Sequence, residues 1–124
     1  MKLIATICSR RKRDDFGLLA AYERYIGDHV SQVMKMAEVE KLPFYILSGK
    51  YGLINSDQPI PYYDYYLEKE SVDSLSKLVA DQIMTANITE IDFYSEDKDS
   101  WIPYVDTLQK AVKLAGTKLN TQML

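Results

Sequence analysis

Residues 44–54 read FYILSGKYGLI, and the reading of this stretch decides the fold. Its first five residues, FYILS, form a short apolar run bounded by Pro43 and Gly49, with the length and composition of a buried strand. Two other runs share that character. KLIATI occupies positions 2–7, and ITEIDFY, with clean apolar alternation, occupies 88–94.

Between these runs the apolar spacing turns helical. Leu18, Leu19, Tyr22, Ile26, Val30, Val33, Met34 and Ala37 predict one long amphipathic helix from Phe16 to about Lys41, with Asp14 or Asp15 as its N-cap. A second helix is predicted over Ser71–Ala86, with Ser71 as N-cap and Val72, Leu75, Leu78, Val79 and Ile83 on one face. A third runs from Trp101 to Ala115 and is closed by Gly116. Residues 49–66 read as a long loop carrying Pro59 and Pro61, and residues 117–124 as either an edge strand or a disordered tail. The order β-α-β-α-β-α implies an α/β fold in three layers, α-β-α, around a small, mainly parallel sheet. A length of 124 residues fits one domain spanning 1–124.

Composition narrows the function classes. No apolar run approaches the ~20 residues that cross a bilayer, which predicts no membrane partner. One cysteine excludes an internal disulfide framework and favours a reducing cytoplasmic location. The opening MKLIATICSRRKR has its apolar residues before its basic ones, the reverse of a secretory signal. A net charge of −3 argues against a protein that coats nucleic acid by bulk charge. Ten tyrosines stand beside only three phenylalanines, unusual for an inert core because each buried phenol must find a partner.

In an open parallel sheet, ligands bind outside the C-terminal ends of the strands. Three loops meet there. The first carries Cys8, Ser9, Arg10, Arg11, Lys12 and Arg13, four consecutive cations before a helix start, which suits an anion such as phosphate. The competing reading is a solvated basic turn paired with Asp14, Asp15 or the acidic third loop. The second holds Ser48, Gly49, Lys50, Tyr51 and Gly52, then PYYDYYL at 61–67, where Asp64 lies between two tyrosine pairs. Such a carboxylate can read the donor edge of a base while Tyr51, Tyr62 and Tyr63 stack on its face. The competing reading has these tyrosines folding the loop onto its own domain or forming a homo-oligomer face. The third, SEDKDS at 95–100, offers Glu96, Asp97 and Asp99 to Mg²⁺ or a ribose diol, or is simply a solvated acidic loop. Neither a Walker pattern nor GxGxxG is present, a zinc site needs more cysteine or histidine ligands than exist here, and no cofactor is predicted. A Cys8–His29 nucleophilic pair is formally available, but the long helix would carry His29 about four turns away from Cys8.

Three motifs together, CSRRK at 8–12, ILSGKYGLI at 46–54 and PYYDYYL at 61–67, resemble a family of small, largely uncharacterised bacterial and phage domains. They are also similar to part of the YaaA-type peroxide-stress proteins and, more distantly, to a domain of archaeosine synthases. The resemblance covers roughly residues 3–116 and is strongest over 45–67. It implies a fold like that of uracil-DNA glycosylases, with a flavodoxin-like sheet as the alternative, and a nucleobase-related role. It also implies that Ser9, Lys12, Ser48, Lys50, Tyr51, Gly52 and Asp64 occupy motif positions.

These readings predict a domain that binds a nucleotide-like small molecule at the strand C-termini. Lys50 and Asp64 are the candidate catalytic residues for work on its N-glycosidic or phosphate bonds. Ser9, Arg10, Arg11, Lys12, Ser48, Gly49, Lys50, Tyr51, Gly52, Tyr62, Tyr63 and Asp64 are the candidate ligand-binding residues, with no metal. The alternative is a non-catalytic nucleotide-sequestering or protein-interaction module. Nucleic-acid binding through the RRKR cluster, disfavoured by the overall charge, ranks third.

Overall fold

The computed structural model describes all residues, 1–124. In chain order the elements are β1 (Lys2–Ile7), β2 (Leu19–Ala20), α1 (Ala21–Arg24), α2 (Asp28–Glu40), β3 (Phe44–Ser48), β4 (Gly52–Asn55), β5 (Pro59–Ile60), α3 (Val72–Thr85), β6 (Glu90–Ser95), α4 (Ile102–Ala115) and β7 (Lys118–Met123). Five strands form one sheet in the order β4-β3-β1-β6-β7. β1 lies at its centre, parallel to both β3 and β6, and β7 runs parallel to β6. Only β4 is antiparallel, folded back on β3.

β1 is buried on both faces, as a near-continuous apolar run should be in a parallel sheet. Because side chains alternate along a strand, Leu3, Ala5 and Ile7 enter the core built with α3 and α4, while Ile4 and Cys8 enter the core built with α2. Helices therefore cover both faces of a mixed, mostly parallel sheet. On the α2 side the knobs are Val30, Val33 and Ala37; on the other, Val72, Leu75, Val79 and Ile83 of α3 meet Leu108, Ala111 and Val112 of α4.

The three long strands and the two C-terminal helices lie where the apolar pattern predicts them. Gly116 closes α4 in the left-handed conformation, with φ 69°. Of the two readings of the tail, the edge strand is the one the structure adopts. Ser71 does precede α3, but its side chain makes no capping hydrogen bond.

Two expectations need correction. There is no continuous helix from Phe16 to Lys41. Gly17 has φ 88°, Leu19–Ala20 pairs with Pro59–Ile60, α1 is a single turn, and α2 starts afresh after Gly27. Neither Asp14 nor Asp15 caps a helix, since α2 begins at Asp28. The misleading signal came from Leu18, Tyr22 and Ile26, which fit a helical spacing but are exposed. Residues 49–66 are likewise not all loop: β4 forms a hairpin on β3, with Ser48 opposite Gly52.

That hairpin turns at Gly52, whose φ of 78° is a conformation side chains resist. A Cβ there would also lie 2.3 Å from Gln82 Oε1. Gln82 is the clasp of the turn: the Leu53 amide donates to its Oε1 (2.8 Å) and its Nε2 donates to the Tyr51 carbonyl (2.9 Å). Gly52→Ala is expected to cost about 2–3 kcal/mol, from left-handed strain plus the disturbed clasp. Gly116→Ala, where a Cβ meets nothing within 4 Å, should cost only about 1 kcal/mol. Urea midpoints at unchanged m-value measure both; equal losses would show that the clasp contributes nothing.

Candidate functional site

The connection leaving β1 passes to α2 on one face of the sheet. The connections from β4 and β6, on either side, pass to α3 and α4 on the other. Chains that part in this way leave a crevice at the end of the central strand. A cavity of about 370 Å³ opens there, against Ile7, Cys8 and Ser9.

The cations of the first loop reach this cavity because the loop is braced. Lys12 and Tyr25 form an isolated antiparallel bridge; the Arg13 amide donates to the Arg24 carbonyl (2.9 Å) and the Ile26 amide to the Arg11 carbonyl (3.1 Å). Beneath the bridge, Arg24 is fully buried. Its guanidinium donates to the carbonyls of Arg13 (2.7 Å), Asp15 (3.1 Å), Gly17 (2.8 Å) and Ile60 (3.2 Å). No carboxylate pairs with it, and Nε has no partner.

Arg10, Arg11 and Lys12 line the cavity, and none of them is in an ion pair. Arg13 does not: Asp15 holds it in a two-pronged pair at 2.9 and 3.0 Å. Of the four cations only Arg13 is paired with an acidic residue, while Arg10 and Arg11 are exposed at the cavity. Aromatic walls complete the cavity. Arg10 stacks on the Tyr66 ring at 4.4 Å, His29 meets buried Trp101 edge-on at 4.9 Å, and Tyr65 and Tyr104 also line it. No Asp or Glu lines it.

His29 is the second residue of α2, not four turns into a helix, so the expectation that it lies far from Cys8 fails. Its Nε2 is 2.9 Å from the Ile7 carbonyl and 3.2 Å from that of Cys8. The approach depends on Gly27, where a Cβ would sit 2.8 Å from both His29 Cε1 and Ser9 Cβ. The imidazole is thereby anchored to the Cys8 backbone, while the Cys8 thiol is buried and donates to the Tyr104 hydroxyl at 3.7 Å. Burial pushes that thiol up, away from the reactive thiolate.

Behind the basic loop lies a chain of buried hydroxyls. The Tyr25 and Tyr63 phenols share a short hydrogen bond, and Tyr63 also bonds Ser48 Oγ at 3.1 Å. Ser48 in turn accepts from the amides of Lys50 (3.2 Å) and Tyr51 (3.0 Å), shaping the hairpin turn. Lys12 Nζ and Lys50 Nζ lie 4.7 and 5.4 Å from the Tyr63 ring centroid. Tyr51 meets that ring edge-on at 5.3 Å. Burial raises the Tyr25, Tyr63 and Tyr104 phenols and lowers the Lys12 ammonium.

A second, shallower cavity of about 420 Å³ adjoins the first, with Tyr65 lining both. Gly49, Lys50 and Asp64 line this one only.

The model of DUF6884, a family of unknown function, matches residues 3–124. The chain belongs to that family. No curated protein and no solved structure matches it.

In this DUF6884 member the residues singled out from sequence divide into four groups. Ser9, Arg10, Arg11 and Lys12 line the cationic cavity. Lys50, Asp64 and Gly49 line its neighbour. Ser48, Tyr51 and Tyr63 build the scaffold between the two. Gly52 sits in the turn against Gln82, and Tyr62 is exposed beside neither cavity. Sequence reasoning passed over His29, Tyr65, Tyr66, Trp101 and Tyr104 as site residues. Tyr65 and Tyr66 could have been found from the tyrosine cluster itself; His29 was hidden by the helix boundary, and Tyr104 carries no local signal.

Two predictions follow from the packing around the loop. Arg24→Lys replaces a fork by a point charge that cannot serve four carbonyls, and should cost about 2–4 kcal/mol in urea unfolding. A loss below about 0.5 kcal/mol would mean that the guanidinium does not hold the loop. The second concerns pH. The ordinary value is 9.0 for a thiol and 10.0 for a phenol, and Cys8, Tyr25, Tyr63 and Tyr104 all lie above theirs in the folded chain. The stability this contributes is complete below pH 9 and drains away as pH rises through the folded values. Lys12, shifted downward, works with the opposite sign and offsets part of the loss. The urea midpoint should therefore fall as pH rises from about pH 9 to about pH 10.5, and fall less steeply in Tyr25→Phe. A flat profile in the parent chain would contradict the burial of these hydroxyls.

Proposed function

We propose that this chain binds a nucleotide-like small molecule in the cavity at the end of β1. One observation carries the reading: a protein with a net charge of −3 gathers Arg10, Arg11 and Lys12, all free of ion pairs, around a cavity with aromatic walls and no carboxylate. Guanidinium groups meet phosphate oxygens in pairs, and the N-terminus of α2, from which His29 projects, adds a favourable field for an anion. Tyr66, half exposed, offers a surface for a planar ring, a contact worth ~1–3 kcal/mol per base where it has been measured in nucleic-acid complexes.

Two further features support the same reading. The four parallel strands, taken in chain order, are arranged second-first-third-fourth, as at the start of a flavodoxin-like sheet, whose ligand sits at the switch point beside the first strand. The motif likeness to YaaA-type proteins and to the glycosylase-like domain of archaeosine synthases also favours a nucleobase-related ligand. Lys50 and Asp64 do not line the cationic cavity, so the reading is one of binding, and bond cleavage by these two residues forms no part of it.

Thermal unfolding with nucleosides, nucleoside mono- and diphosphates and inorganic phosphate tests the proposal. At tenfold excess over Kd, a nucleotide should add about 1.4 kcal/mol, or several degrees in Tm. Nucleosides and phosphate alone should do less. Replacing Arg10, Arg11 and Lys12 together by Gln should remove the shift. The proposal is lost if no nucleotide moves Tm at about 10 mM, a concentration that registers even millimolar affinity, or if the triple variant responds like the parent.

A further inference from the structure

The second cavity remains unassigned, and its chemistry differs from that of the first. Lys50 and Asp64 stand at its edge, and neither is in an ion pair. The first turn of α3 and the residue before it supply the hydroxyls of Ser71 and Ser74 and the apolar surface of Leu75. A carboxylate repels a phosphate but accepts hydrogen bonds from neutral hydroxyls, and serine hydroxyls can donate or accept. An apolar floor suits the C–H face of a sugar ring. The set is therefore that of a polyol site, not of a second anion site.

The two cavities are also coupled in space. Tyr65 forms part of the wall of each, and its hydroxyl donates to Ser71 Oγ at 3.3 Å. Lys12 of the first cavity and Lys50 of the second both lie against the one Tyr63 ring. Their ammonium groups are thus within the span of one small molecule whose negative charge runs between the two spaces.

Resting on the nucleotide reading above, we infer that the ligand is a pyrophosphate-linked sugar nucleotide. Its nucleoside diphosphate lies against Arg10, Arg11 and Lys12, and its second sugar lies in the neighbouring cavity with its hydroxyls on Asp64. Lys50 stands between the pyrophosphate and that sugar. Asp64 is a hydroxyl-reading residue in this arrangement, which gives the tyrosine-flanked carboxylate a role that the cationic cavity does not use.

Calorimetric titration with two matched pairs, ADP against ADP-ribose and UDP against UDP-glucose, tests the inference on the full chain. In at least one pair the sugar-bearing member should bind about tenfold tighter. Asp64→Asn should erase that advantage while leaving the affinity for the matching diphosphate within about twofold. Asp64 is exposed, so the variant should fold, and an unchanged urea midpoint checks that it has. Equal affinity within both pairs, or an advantage that survives Asp64→Asn, overturns the inference and leaves the nucleotide reading standing. Failure of all four ligands to bind overturns the inference, and it overturns the nucleotide reading as well when no nucleoside mono- or diphosphate moves the parent's Tm.

Discussion

A buried guanidinium without a carboxylate organises this molecule. Arg24 is shut away from water, where an isolated charge is costly, and it is tolerated because four backbone carbonyls converge on it. Three of those carbonyls belong to residues 13–17 and the fourth to Ile60. The same contact that solvates the charge therefore pins the irregular segment after β1 and ties it to the chain beyond the β3–β4 hairpin. A segment held only by its own turns would leave three adjacent cations to spread into solvent. Here the bridge between Lys12 and Tyr25 sits directly above Arg24, and the cations point into a shared space.

The electrostatics follow from that brace. The acidic residues outnumber the basic ones, yet only one of them is drawn into an ion pair with the basic loop. Asp15 occupies Arg13, and Glu96 in the third loop occupies Lys98. The remaining cations of the loop keep their charge unpaired beside low-dielectric aromatic surface, where a bound anion interacts more strongly than it would in open water. Bulk charge and local field thus have opposite signs, so the net charge argues against a coating protein and says little about a pocket.

Much of the architecture was legible in the residues because it rests on short-range chemistry. FYILS and KLIATI have the length and apolar density that suit buried strands, ITEIDFY alternates as a strand does, and α3 shows an apolar stripe at helical spacing. The segment 8–27 was not legible. Its apolar residues fall at helical spacing by coincidence, and the two features that break the helix are Gly17 at positive φ and a pairing of Leu19–Ala20 with residues forty positions away. Misplacing that boundary also misplaced His29. The hairpin after β3 was missed for a related reason: glycines that mark a turn were read as the opening of a loop.

The sequence by itself determined the three long strands and the two C-terminal helices, the position of the cations and tyrosines in the connections after β1 and β3, and the exclusion of a disulfide framework. Those depend on composition and on neighbours within a few positions. Only the tertiary structure decided which of these groups share a space. It separated Arg13 from Arg10, Arg11 and Lys12, buried Tyr63 and exposed Tyr62, brought Trp101 and Tyr104 from the far end of the chain to the first loop, and divided the predicted site into two cavities at Tyr65. Apart from the local Arg13–Asp15 pair, those outcomes turn on contacts between residues distant in the chain, and hydrophobic periodicity, being local, carries no record of them.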